Sequence, residues 1–120
     1  MFYQKDWIMR QIENIIQLIA RFFFKKYTVH YEIIDETNHT QTDLLYKELL
    51  ELLNSLEINE AENLLYERIK ANDRNYLMVA VDFYKRLNEL SDEQLESADF
   101  SREEIRSGLE EISRMFGLIL

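Results

Sequence analysis

Two histidines set among carboxylates are the residues of this chain that invite chemistry first. His30 and His39 stand nine positions apart, with Glu32, Asp35, Glu36 and Asp43 around them. A metal site needs ligands converging within roughly 2.0–2.6 Å of one ion, which H-x-x-x-H spacing on a helix or an H-E-x-x-H motif delivers and nine residues of loop do not. A calcium loop is served no better, because Asp35-Glu36-Thr37-Asn38-His39 lacks the central Gly and the Glu at the twelfth position. The segment is read as solvated chain with no metal site.

Carboxylates are abundant (Glu48, Glu51, Glu60, Glu62, Glu67, Glu89, Glu93, Glu103, Glu104, Glu110 and Glu111), but an acid/base pair needs one of them desolvated. These sit on predicted wet helix faces beside Lys and Arg, so they read as surface. No nucleophile elbow or oxyanion-hole signature accompanies any Ser. The expectation is therefore no catalytic residue, no cofactor-binding residue and no enzyme activity. Tyrosine is the other abundant functional type: Tyr46, Tyr66, Tyr76 and Tyr84 fall on successive predicted helices, where amphipathic rings can line a groove for a protein or peptide. The alternative is that they form the half-buried edge of the core.

The elements that position these residues follow from composition. The chain has 120 residues, 47% of them hydrophobic, with two Gly, no Pro and no Cys. That length supports one core and leaves no room for two independent domains. Hairpin turns of β-rich folds need positive or preset φ, and two Gly without Pro cannot supply a sandwich or barrel. Gly-rich phosphate cradles are excluded too, since Gly108 and Gly117 stand alone in helical sequence. Without Cys there is no disulfide, thiolate metal site or cysteine nucleophile, which fits a reducing cytoplasm.

Charge divides the chain. Residues 1–27 carry five cations and two anions, whereas residues 28–120 carry nine cations and twenty-one anions. The acidic body repels phosphates, so nucleic acid is not an expected partner. The first segment is interrupted by Asp6, Arg10, Glu13 and Arg21, which excludes a signal peptide or a bilayer-spanning helix, and the expected location is the cytoplasm.

Periodicity then predicts six helices in an all-α fold: a long amphipathic helix within residues 1–27, a polar connector over 28–41 with a short extended piece, and a helical-hairpin region over 42–120, all one compact domain. In the first helix Ile8, Ile12, Ile15, Ile19 and Phe22 repeat at three and four, with Met9, Ile16 and Phe23 beside them and Trp7, Leu18 and Phe24 flanking a polar stripe. So wide an apolar arc needs cover from its own domain, from a second copy or from lipid. Trp7, Ile8, Ile12, Ile15, Ile19, Phe22 and Phe23 are accordingly the expected dimer or membrane face.

The second helix is predicted over Asp43–Leu53 with Thr42 as N-cap, and the third begins near Asn59 with Glu62 three residues on. The fourth spans Asn75–Leu90 and, being apolar in nearly every direction, is expected at the centre. Capping boxes at Ser91/Gln94 and Ser101/Glu104 open helices over 92–97 and 102–116, with Gly108 marking close approach of another helix backbone and Gly117 a C′ position. The tail Leu118-Ile119-Leu120 is expected to dock on the core.

The stretch Leu53-Asn54-Ser55-Leu56-Glu57-Ile58-Asn59-Glu60-Ala61-Glu62-Asn63-Leu64-Leu65-Tyr66 resembles the turn and second helix of a tetratricopeptide repeat, a unit that stacks into arrays with a concave binding face. The repeat's Pro, its Gly before the turn and a second copy at a 34-residue period are missing. Over nearly its full length the chain also resembles a family of short acidic proteins from Gram-positive bacteria classed as a domain of unknown function. Asp6-Trp7-Ile8-Met9-Arg10-Gln11-Ile12, Asp82-Phe83-Tyr84, Leu90-Ser91 and Asp99-Phe100-Ser101 carry that resemblance. It implies a fold but no activity, cofactor or site residue.

These readings combine into a non-enzymatic interaction or adaptor domain that binds a protein or peptide, its acidic rim selecting a basic partner. A peripheral membrane protein held by its first helix is the alternative, and a homodimer through that helix is compatible with either.

Overall fold

Ile8, Ile12, Ile16 and Ile19 share one helical face, and all four are buried on the inside of α1 (Phe2–Ile19). The structure, a computed structural model, describes residues 2–26 and 28–118, with side chains from Lys5 onward. After α1 the helix widens into one π-helical turn, Ala20–Phe24, which ends at Lys25 in the left-handed region. The remaining helices are α2 (Gln41–Asn54), α3 (Ile58–Arg68), α4 (Arg74–Asn88), α5 (Asp92–Ser97) and α6 (Arg102–Met115). The fold is all-α with six α-helices and no strand among the described residues. No described helix is long and apolar enough to cross a membrane.

α4 is the central element. Tyr76, Leu77, Val79, Ala80, Val81, Phe83, Tyr84 and Leu87 are all buried, which requires neighbours on several sides. α1 and α6 pack against each other and against α4, and α2 reaches α4 from another side while pairing with α3. Contacts fix the directions. The Asn88 amide donates to Met9 O at one end of α4 and the Arg74 guanidinium donates to Phe23 O at the other, so α1 and α4 are antiparallel. Gln11 accepts from Arg106 at 2.7 Å and Phe23 meets Phe116 edge-on at 6.5 Å, so α1 and α6 run parallel.

Arg102 locks the end of α4 to the start of α6. It is buried, and its guanidinium donates to Asn88 O at 2.9 Å, Leu90 O at 2.8 Å and Asp92 Oδ1 at 3.1 Å, satisfying carbonyls that α4 leaves without partners.

Helix ends account for most differences from the periodicity. α2 begins earlier than expected because Thr40, not Thr42, is its N-cap: Thr40 Oγ1 accepts from Asp43 N and the Asp43 carboxylate accepts from Thr40 N. α3 starts at Ile58 with no side-chain cap, and α4 is capped by Asp73. Both serine capping boxes are present as expected. Gly117 is the C′ residue of α6 at φ 82°, with its N–H on Arg114 O and the Leu118 N–H on Ser113 O. Leu56 and Asp99 close α2 and α5 with the same paired bonds at φ 55° and 54°, so two of three such caps are made without glycine. Gly108 does mark a close approach, but the group above it is the ring of Tyr84 rather than a helix backbone. Leu118 packs on the core, and Ile119 and Leu120 lie outside the described residues.

Candidate functional site

The connector between α1 and α2 crosses the body as an extended segment whose burial alternates. Val29 and Tyr31 are buried and Ile33 is half-buried, while His30, Glu32 and Ile34 are exposed, Ile34 at 94%. That period of two belongs to extended chain, here residues 29–33 between bends at Thr28 and Ile34, and the segment is rich in the β-branched and aromatic types that favour it.

Tyr31 anchors the segment. Its ring lies 4.8 Å from that of Tyr46 on α2, centroid to centroid. The hydroxyl bridges to Asp43 Oδ1 at 2.5 Å and Thr42 Oγ1 at 2.8 Å, and its N–H donates to Asp82 Oδ2 on α4 at 2.9 Å. Asp82 is buried because its other oxygen accepts from Arg86 Nε at 2.7 Å, one helical turn on. Arg86 continues to the Tyr46 hydroxyl at 2.7 Å, closing a ring of contacts from connector to α4 to α2 and back. His30 Nδ1 stands 3.6 Å from Asp82 Oδ2, too far for a hydrogen bond.

The electrostatics follow from these partners. Burial, reinforced by the Asp43 carboxylate, raises the pKa of the Tyr31 phenol, and burial with the nearby Asp82 charge does the same for Tyr46. Asp43 moves down: burial alone would raise it, but the Tyr31 hydroxyl and the Thr40 amide and hydroxyl together outweigh that penalty. Arg86 likewise ends above its ordinary value, the bond and charge of Asp82 overcoming burial.

Beside the segment lies a hollow of about 680 Å³. Thr28, His30, Tyr31, Glu32 and Ile34 form one wall, and the returning connector from Asn38 to Asp43 forms another, with Asn75 and Met78 of α4 between. Glu32, Asp35 and Asp43 set three carboxylates against the single ammonium of Lys26 in this lining.

A second buried polar cluster sits where α3, α4 and α6 meet. Tyr84 donates to Glu62 Oε2 at 2.6 Å, and the Tyr66 hydroxyl stands 3.4 Å from both Tyr84 Oη and Gly108 O. Burial pushes all three groups up, Tyr84 most strongly, and the Glu104 charge adds to the rise at Glu62.

The residues singled out in sequence are placed as follows. His30 and His39 do not converge: His39 pairs with Glu36 at 3.2 Å, His30 faces Asp82, and no group of three potential metal ligands occurs among the described residues. The four tyrosines lie in the core or at its edge. Tyr84, Tyr46 and Tyr76 are buried and Tyr66 is half-buried, each ring turned toward the body because α4 is covered on all sides. The face of α1 is split rather than open: Ile8, Ile12 and Ile19 are consumed by the core, with Ile15 and Phe23 packed at its margin. Trp7 and Phe22 remain outside, 56% and 69% exposed, with Leu18.

Tyr31, Asp82 and Arg86 were not singled out by residue type and spacing. An Asp82/Arg86 pair at i, i+4 inside the most apolar helix is the one signal available for them.

The clamp and hollow define the chain as a small helical domain that displays a held, extended segment. The chain belongs to a family of unknown function, DUF6483, whose pattern matches residues 2–117. No curated protein and no solved structure matches it.

Proposed function

We propose that this chain is a non-enzymatic interaction domain that takes up a peptide segment of a protein partner in the hollow beside the Tyr31 clamp. The observation that carries the reading is a hollow of about 680 Å³ with one wall held rigid from three elements, within the size range of ligand clefts. The polar groups of the clamp are spent on one another, which suits a scaffold that holds shape. Three carboxylates against one ammonium in the lining, on a chain of net charge −9, favour a basic segment.

Panning the chain against displayed random heptapeptides tests this. The expected result is basic sequences whose binding falls more than about tenfold, or about 1.4 kcal/mol, in Met78→Arg, which places a cation in the hollow, and survives in Phe22→Ala. Recovery of no binder, or loss in Phe22→Ala alone, overturns it.

The second reading is a lipid surface met by the outer face of α1. Exposed Trp7, Leu18 and Phe22 beside exposed Arg10, Arg21 and Lys25 favour it. Only a narrow strip of three large apolar residues is left there, since the isoleucine face is already covered. A blue shift of Trp7 emission on adding phosphatidylserine vesicles, absent with phosphatidylcholine, is the outcome that would move the site to α1. The same strip is the surface left for a homodimer.

A further inference from the structure

Residues 29–33 run extended between bends at Thr28 and Ile34, outside any sheet. In extended chain the N–H and C=O groups of successive residues point to opposite edges. The Tyr31 N–H is committed to Asp82, which turns the odd-numbered residues' backbone groups toward α4. The groups of His30 and Glu32 therefore point the other way. Among the described residues no hydrogen bond joins the amides or carbonyls of these two to the protein. Both residues also line the hollow, with Thr28 and Tyr31.

Unpaired strand edges are templates for pairing with another chain. Here the template is held in place before any partner arrives, because Tyr31 is fixed through its ring, hydroxyl and amide and the flanking Val29 is buried. Pre-organisation of this kind removes an ordering cost from binding.

From this we infer that the partner segment binds by strand addition, pairing its backbone with His30 and Glu32 beside the hollow. The inference rests on the peptide-binding reading and specifies its geometry. The occupant is an extended basic segment. Glu32 and Asp35 lie beside the edge, and the Asp35 carboxyl is held below its ordinary range by the Thr37 hydroxyl and amide, which keeps it charged. Lysines or arginines at alternate positions of the incoming strand lie on the face of Glu32, and β-branched residues at the others turn to the opposite face.

The test uses a blocked heptapeptide of alternating lysine and valine, its glutamate–valine counterpart, and two N-methylated versions of the first, methylated on the odd or on the even amides. Calorimetry against the full chain is expected to give saturable binding of the lysine peptide and none of the glutamate peptide. One methylated register should lose more than about tenfold, the scale of one or two hydrogen bonds, and the other should stay within about threefold. On the protein side Glu32→Pro removes an edge donor that has no partner in the folded chain and demands extended geometry of Tyr31, so it should keep the thermal midpoint and lose the peptide. Glu32→Ala, which retains the amide, should weaken binding less. Amide exchange at His30 and Glu32 should slow when the peptide is bound. Equal effects of the two registers, with unprotected amides, overturn strand addition while leaving peptide binding intact. Absence of binding by both this peptide and every panned sequence overturns the two readings together.

Discussion

Tyr31 and Tyr84 are both buried phenols that donate to a carboxylate, Tyr31 to Asp43 at 2.5 Å and Tyr84 to Glu62 at 2.6 Å. The two carboxylates nevertheless shift in opposite directions, Asp43 down and Glu62 up. The difference lies in the number of donors. Asp43 occupies the third position of a helix N-terminus, where the Thr40 amide and hydroxyl join the phenol, and the unsatisfied N–H groups of the first turn add positive potential. Glu62 has the phenol alone, and Glu104 is a second negative charge nearby. One hydrogen bond does not repay desolvation of a carboxylate; several at a helix start do. The clamp beside the hollow is thus the well-satisfied site, and the α3–α4–α6 junction is the strained one.

Overpacking the junction breaks the comparison most severely. A Cβ at position 108 would fall within the phenol ring of Tyr84, which is fully buried and cannot step aside. Gly108→Ala should cost about 1–3 kcal/mol or more in urea unfolding. Removing the hydroxyls comes next. Tyr84→Phe deletes the donor that Glu62 depends on and should cost about 1–3 kcal/mol, the penalty of an orphaned polar group. Tyr31→Phe leaves Asp43 its Thr40 donors and should cost about 1 kcal/mol. Chemical denaturation of the pair ranks them, and a larger loss at Tyr31 would reverse the assignment of the strained site.

Much of the architecture was legible in the sequence, and the failures have local causes. Six helices, the central place of α4 and both serine capping boxes follow from periodicity and from the Ser-x-x-Gln and Ser-x-x-Glu patterns. Thr40 was missed because its reciprocal partner is Asp43, a shorter acid than the Glu or Gln of the usual box. Leu56 and Asp99 carry no glycine signal, and the paired bonds of their helix ends accompany a left-handed conformation that side chains disfavour. The tyrosines were open to two readings because an amphipathic ring has the same period whether it faces a groove or a neighbouring helix, and only the positions of α2 and α6 decide. The clamp was illegible for a related reason. Tyr31, Thr42, Asp43 and Asp82 come from three segments up to 51 residues apart, and no spacing rule connects them.

The pH dependence of stability sharpens the comparison with the smallest effects. Asp43 titrates lower in the folded chain than in the unfolded one, so its contribution is present above about pH 4 and is lost as the pH falls through the folded value. Glu62 titrates higher when folded, so its contribution is complete below about pH 4 and is lost as the pH rises through the folded value; at neutral pH its charge works against folding. Neutral amides of the same shape remove each dependence. Glu62→Gln keeps an acceptor for Tyr84 and should raise the thermal midpoint at pH 7, by no more than about 1 kcal/mol because solvent reaches this half-buried group and screens it. The gain should vanish near pH 3.5, where wild-type Glu62 is itself neutral. Asp43→Asn should lower the midpoint at pH 7, by about 1 kcal/mol as loss of a cap does, and the deficit should shrink on acidification as wild-type Asp43 loses its charge. Melts followed by circular dichroism between pH 3 and 8 therefore separate the two tyrosine–carboxylate pairs by sign. Parallel responses of the two variants would mean that the number of donors does not set the direction in which each carboxylate shifts.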